Sequence, residues 1–99
     1  MKNRGFGQPN MQAMMKQAEE MKKQLERAKE ELAETLIESS SGGGMVMVEM
    51  SGAYELLNIK IKPEAVDPDD VEMMEDLVIA AINEALNQVT KLREETLPL

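Results

Sequence analysis

The chain has 99 residues, the length of one small domain, and a net charge of −8, with no cysteine and no histidine. Those two absences exclude disulfides, thiol nucleophiles and Cys-based metal sites, and they remove the commonest metal ligand and the usual acid–base group near neutral pH. No apolar stretch approaches the roughly 20 residues of a membrane span, and MKNRGFGQPN lacks the apolar core of a secretory signal, so the expectation is a soluble, cytoplasmic protein.

One Phe, one Tyr, no Trp and ten Met leave little to build a core from, since aromatic side chains bury the most surface and flexible Met fixes geometry poorly. A chain this short is expected to complete its core with a second copy of itself. Charge is distributed unevenly. Residues 1–33 hold seven Lys/Arg against five Asp/Glu, and residues 34–99 hold four against fourteen.

Residues 1–9, with two Gly and a Pro, read as a flexible arm ahead of a single domain over 10–97. From Asn10 a helical pattern begins. Met11, Met14, Ala18, Met21, Leu25, Ala28 and Leu32 alternate steps of three and four, an a/d seam over three heptads. At 1.5 Å per residue such a helix is roughly 36 Å long, so it is expected to project or to lie against a partner, with Met14, Ala18, Met21, Leu25, Ala28 and Leu32 as the dimer seam. Residues 34–39 read as a short first strand, with a last helical turn as the alternative. Met45–Met50 reads as a strand and Ser51–Ala53 as a turn. Tyr54–Lys62 reads as a half-buried strand, with Leu57, Ile59 and Ile61 on one side and Asn58, Lys60 and Lys62 on the other. Pro63 ends it. Asp67-Pro68-Asp69-Asp70 reads as a helix start, with Asp67 as N-cap and Pro68 in the first helical position. The stripe Val71, Met74, Leu77, Val78, Ala81, Ile82, Ala85, Val89 and Leu92 carries that helix to about Glu95 before Pro98. The fold expected is α+β: a long N-terminal helix, a two- to three-stranded antiparallel sheet and a C-terminal helix.

Three stretches invite a chemical role. Gly42-Gly43-Gly44 suggests a phosphate loop, but such a loop follows a strand and opens a helix. Here the glycines precede a strand, so they are expected to serve a tight turn. Seven acids and no base fall within residues 64–76, but without the spacing of a calcium loop, and helix capping accounts for most of them. The third stretch is cationic. Lys16, Lys23 and Arg27 lie opposite the seam, Lys22 and Lys29 flank it, and Lys2 and Arg4 extend the positive charge onto the arm. Such a ridge suits phosphates, although glutamates are interleaved with it.

Taken together, "MQAMMKQAEEMKKQLERAKEEL" and "GGGMVMVEMSGAYELLNIKIKPEAVDPDDVEMMEDLVIAAINEA" resemble the YbaB/EbfC family of bacterial nucleoid-associated proteins. The resemblance runs from about Met11 to Arg93. It implies a cytoplasmic, nucleoid-bound homodimer shaped like tweezers, which binds double-stranded DNA, alters its conformation and has a possible role in gene regulation. It implies no catalysis, no cofactor and no small-molecule substrate. DNA contacts from helical arms and nearby loops would fall on Lys16, Lys22, Lys23, Arg27 and Lys29, with Lys91 and Arg93 near the end of the second helix. The competing reading is a small dimeric adaptor, whose Met seam and acidic helix start bind another protein without touching DNA.

Overall fold

A computed structural model describes residues 10–97; the expected flexible arm, with Lys2 and Arg4, lies outside them. The chain forms helix α1 (Met11–Glu34), strand β1 (Leu36–Ser41), a single left-handed turn over Gly42–Gly44, strands β2 (Val46–Ser51) and β3 (Leu56–Ile61), a short turn at Pro63–Ala65 and helix α2 (Val71–Thr96). The molecule is a rod of 85 × 18 × 16 Å.

α1 starts where Asn10 caps it, accepting from the amides of Gln12 and Ala13, and it ends when Thr35 turns extended. Of its apolar seam only Leu32 is buried, at 1% exposure; Leu25 and Ala28 are half-buried, and Met14, Ala18 and Met21 stand in solvent. Leu32 is therefore filled by its own chain and leaves the expected dimer seam, because it anchors the helix base to the sheet. The rest of α1 projects.

The sheet is antiparallel in the order β1-β2-β3, and the span read as a first strand over 34–39 is split, with Glu34 closing α1, Thr35 capping it and the strand running from Leu36 to Ser41. Two serines account for that strand's place. Ser39 and Ser41 donate from their hydroxyls to the carbonyls of Ala81 and Leu77, four residues apart on α2. α2 then lies across β1 and β2, closing a core of Val46, Val48, Met50, Ala81, Ala85 and Val89. Small alanines at 81 and 85 let the helix approach closely enough for those hydroxyls to reach its backbone.

Three expectations change. The helix start is Asp70, whose side chain accepts from the amide of Met73. Asp67 instead accepts from the amide of Asp69 in the preceding turn, so Pro68 falls outside the helix. One aspartate satisfies its nearest free amide as well as another does, and the periodic apolar run decides the boundary only to within a turn. The third strand begins at Leu56, and the expected alternation breaks at Leu57: the register passes from Glu49 opposite Asn58 to Met50 opposite Leu56, leaving Leu57 as a bulge. That strand is also not half-buried. Ile59 and Ile61 face the same side as their core partners Val48 and Val46, yet they are 39% and 38% exposed where the valines are at 0%. The helix that would cover them packs over the other two strands.

Candidate nucleic-acid interface

All five cations of α1, Lys16, Lys22, Lys23, Arg27 and Lys29, are exposed. The helix holds them there because each sits off the line that ends in buried Leu32, and no residue of the helix before Leu25 is even partly buried. Lys16 and Arg27 are separated by about 16 Å along the axis. Carboxylates accompany them: Glu26 and Glu30 line a shallow groove of about 200 Å³ together with Lys23 and Arg27, and the whole helix carries five cations and six glutamates. The positive ridge is thus a set of separate charges on a bare rod, suited to phosphates that arrive from outside and have their own spacing.

The acidic end is elsewhere. β1 runs from the base of α1 at Leu36 to Ser41, which is tied to Leu77 in the second turn of α2. The acids at the start of α2 therefore lie at the far end of the sheet, about 20 Å of strand away from the arm's base. Asp70, Glu72 and Asp76 border a groove there with Met73 and Leu77. Among the described residues no cluster of three or more acidic side chains converges as a metal site.

The glycine stretch is a turn. Gly42, Gly43 and Gly44 have φ of 59°, 67° and 93°, the left-handed region that side chains rarely adopt, and a methyl on Gly42 would come within 2.7 Å of Leu77. Their amides open no α-helix; they lead into β2.

The two cations expected near the end of α2 differ. Lys91 is exposed. Arg93 is half-buried: its Nη1 donates to the carbonyl of Gly52 at 2.8 Å, and its guanidinium lies 5.2 Å from the centre of the Tyr54 ring. Sequence reasoning had no signal for this arrangement, since an arginine in the last turn of a helix is explained equally well by the helix dipole.

A second feature it missed is apolar. Ile79, Ile82 and Leu86 follow three- and four-residue steps that continue to Thr90 and Arg93, the two residues in contact with Tyr54 on the β2–β3 hairpin. This row therefore marks the flank of α2 turned towards β3, and Ile79 and Leu86 are exposed there. Ile79 and Leu86 on α2 and Ile59 and Ile61 on β3 are thus apolar side chains that one chain leaves exposed. The period of the α2 stripe hid this, because the stripe is wider than one chain can cover.

Comparison with known proteins places this geometry. The chain is 56% identical over 83 residues to a nucleoid-associated protein of Moorella thermoacetica, covering 84% of this chain and 80% of that one. It is 49% identical over 90 residues to a nucleoid-associated protein of Alkaliphilus metalliredigens, covering 87% and 79%. A crystal structure of an uncharacterized protein from Helicobacter pylori superposes with a TM-score of 0.79 at 27% identity, over 89% of this chain and 92% of that one. The family model described as the YbaB/EbfC DNA-binding family matches residues 7–98. A projecting helical arm with exposed cations, on a three-stranded sheet backed by one helix, is how this sequence builds that fold, and the chain belongs to the YbaB/EbfC DNA-binding family.

Proposed function

We propose that the protein is a nucleoid-associated protein that binds double-stranded DNA as a homodimer and alters its conformation, with Lys16, Lys22, Lys23, Arg27 and Lys29 as the principal phosphate contacts and Lys91 as a flanking one. The observation that carries the reading is the arm itself: a 24-residue helix whose cations are all free of burial, in a chain matched by a DNA-binding family over nearly its whole length. Contacts of this kind position a protein on the duplex and read little sequence, so binding is weakly selective. Any bending follows from how two arms grip the helix. A nucleoid location is the consequence of that binding, and no helix among the described residues is long and apolar enough to cross a membrane.

The test is a titration of short duplexes at rising salt. Affinity falls steeply between about 50 and about 200 mM, because each neutralised phosphate releases counterions. A flat salt response overturns the backbone-contact reading, and no binding at any salt favours the adaptor.

Pairing of two copies is supported by what a single chain leaves bare. β3 is an edge strand with unpaired backbone groups, and Ile59, Ile61, Ile79 and Leu86 are exposed. An open edge and bare apolar side chains are what proteins cover or pay for in aggregation. The exposed Met14 and Met21 of the arm belong to the same reading, as the part of the seam closer to the tip. Light scattering is expected to give twice the 11.1 kDa chain mass, and Ile59→Glu with Leu86→Glu is expected to reduce it to one. A dimer that survives both changes would move the interface to α1.

A further inference from the structure

We propose that Arg93, expected from the sequence to contact DNA, is instead a positioning residue that sets the angle at which α1 leaves the sheet. The functional consequence rests on the DNA-binding reading; the angle does not.

The argument starts at Gly52, which is buried where three elements cross. Its amide donates to the carbonyl of Thr35, the residue that terminates α1, at 3.0 Å. Its carbonyl accepts from Arg93 of α2. Its Cα lies against the backbone of Leu32, so closely that a methyl there would overlap the Leu32 carbonyl oxygen. One residue therefore touches the last turn of the arm on one side and the last turns of α2 on the other. Leu32 is the arm's single buried side chain, and a lone anchor leaves a long lever free to pivot about it. The second fixed point is the hydrogen bond from Gly52 to Thr35, and its direction depends on what holds Gly52.

What holds it is a clamp. Ser51 accepts at its Oγ from the amides of Ala53 and Glu55, and its own amide donates to Glu55, which closes the turn. Tyr54 then adopts φ of 64°, the one positive value among the described non-glycine residues. A bulky residue is strained in that region, so something must keep it there. The Tyr54 hydroxyl is hydrogen-bonded to Thr90 and its ring lies under Arg93. Arg93 thus engages both ends of the turn, the Gly52 carbonyl by a charge-assisted hydrogen bond and the Tyr54 face by its guanidinium plane. A lysine cannot do both with one geometry. The arm's angle determines how far apart its cations stand from those of a second copy, and hence which duplex shape they fit.

The chain contains no cysteine, so spin labels can be placed cleanly at Gln17→Cys on the arm and Glu84→Cys on α2, with labelled chain diluted into unlabelled so that the distance within one chain is read. The expected result is a narrow distance distribution that broadens and shifts in Arg93→Ala and also in Thr90→Val, which removes no charge, while Arg93→Lys recovers only part of the sharpness. In duplex titrations the same variants weaken binding without changing the slope of log affinity against log salt, whereas loss of a phosphate contact lowers that slope by about 1 per site. Unchanged distances in both Arg93→Ala and Thr90→Val, or a lowered slope with unchanged distances, would overturn the proposal. If the parent chain bound no DNA while the distances still broadened, the DNA reading would fail and the positioning role would stand. Should Arg93→Ala fail to fold, Thr90→Val and Arg93→Lys decide the question alone.

Discussion

Duplex binding by a variant carrying Lys16→Glu, Lys23→Glu and Arg27→Glu is expected to fall by at least about a hundredfold near 50 mM salt, with the salt slope reduced by up to about 5. The three positions share the face opposite the apolar seam, and two copies place six of them on the arms. Each lost phosphate contact contributes about 0.9 to the slope, and the reversed charges also repel the backbone. The helix itself survives the change, since Lys and Glu have similar propensities and new like-charge neighbours cost only about 0.2–0.5 kcal/mol per pair. Circular dichroism checks that point, and fluorescence anisotropy with a labelled duplex reads the affinity. The complementary change is informative in the other direction. Glu26 and Glu30 border the same groove as Lys23 and Arg27, so Glu26→Lys with Glu30→Lys should tighten binding and steepen the slope. If reversal leaves affinity untouched, α1 is not the DNA-binding element, and an arm that docks a protein partner becomes the better account.

The largest effect on stability is expected at Gly52. A Cβ at this position meets backbone atoms of Leu32, with the carbonyl carbon at 3.0 Å and Cα at 3.1 Å, besides the overlap with the oxygen. No rotamer change relieves a backbone clash, so either the arm must swing away from the sheet or the turn must deform. Gly52→Ala is expected to cost about 2–3 kcal/mol, a fall of about 10–20 °C in melting temperature for a domain of this size. Gly43→Ala is the control. Gly43 has φ of 67° but open space around it, so only the left-handed penalty of about 1–2 kcal/mol applies. Thermal melts must be compared at one chain concentration, because dimerisation contributes by mass action. Equal losses at the two positions would show that the close approach of arm and turn is not rigid, and would weaken the case for a fixed arm angle.

Composition and periodicity were sufficient for the order of the elements, and the family was legible only through the resemblance of the first helix and of the stretch from Gly42 to Ala85. The seam from Met11 to Leu32 defines a helix because a/d spacing has no other use at that length, and the Val/Met run before Ser51 defines a strand by residue type. Local signals of this sort survive whatever the rest of the chain does. The cations of α1 were legible for the same reason, since nothing in a solvated helix moves a lysine off its face. Other features depended on neighbours distant in the chain. Ser39 and Ser41 carry no sign of being packing residues until Ala81 and Leu77 supply the carbonyls they bond. Ile59 and Ile61 look like core until α2 is seen to cover only β1 and β2. Arg93 looks like a free cation until it is found between Gly52 and Tyr54, which lie 41 and 39 positions earlier in the chain. Periodicity reports which face of an element is apolar; it carries no information on how much of that face another element reaches, and that quantity is decided only when the helix docks on the sheet.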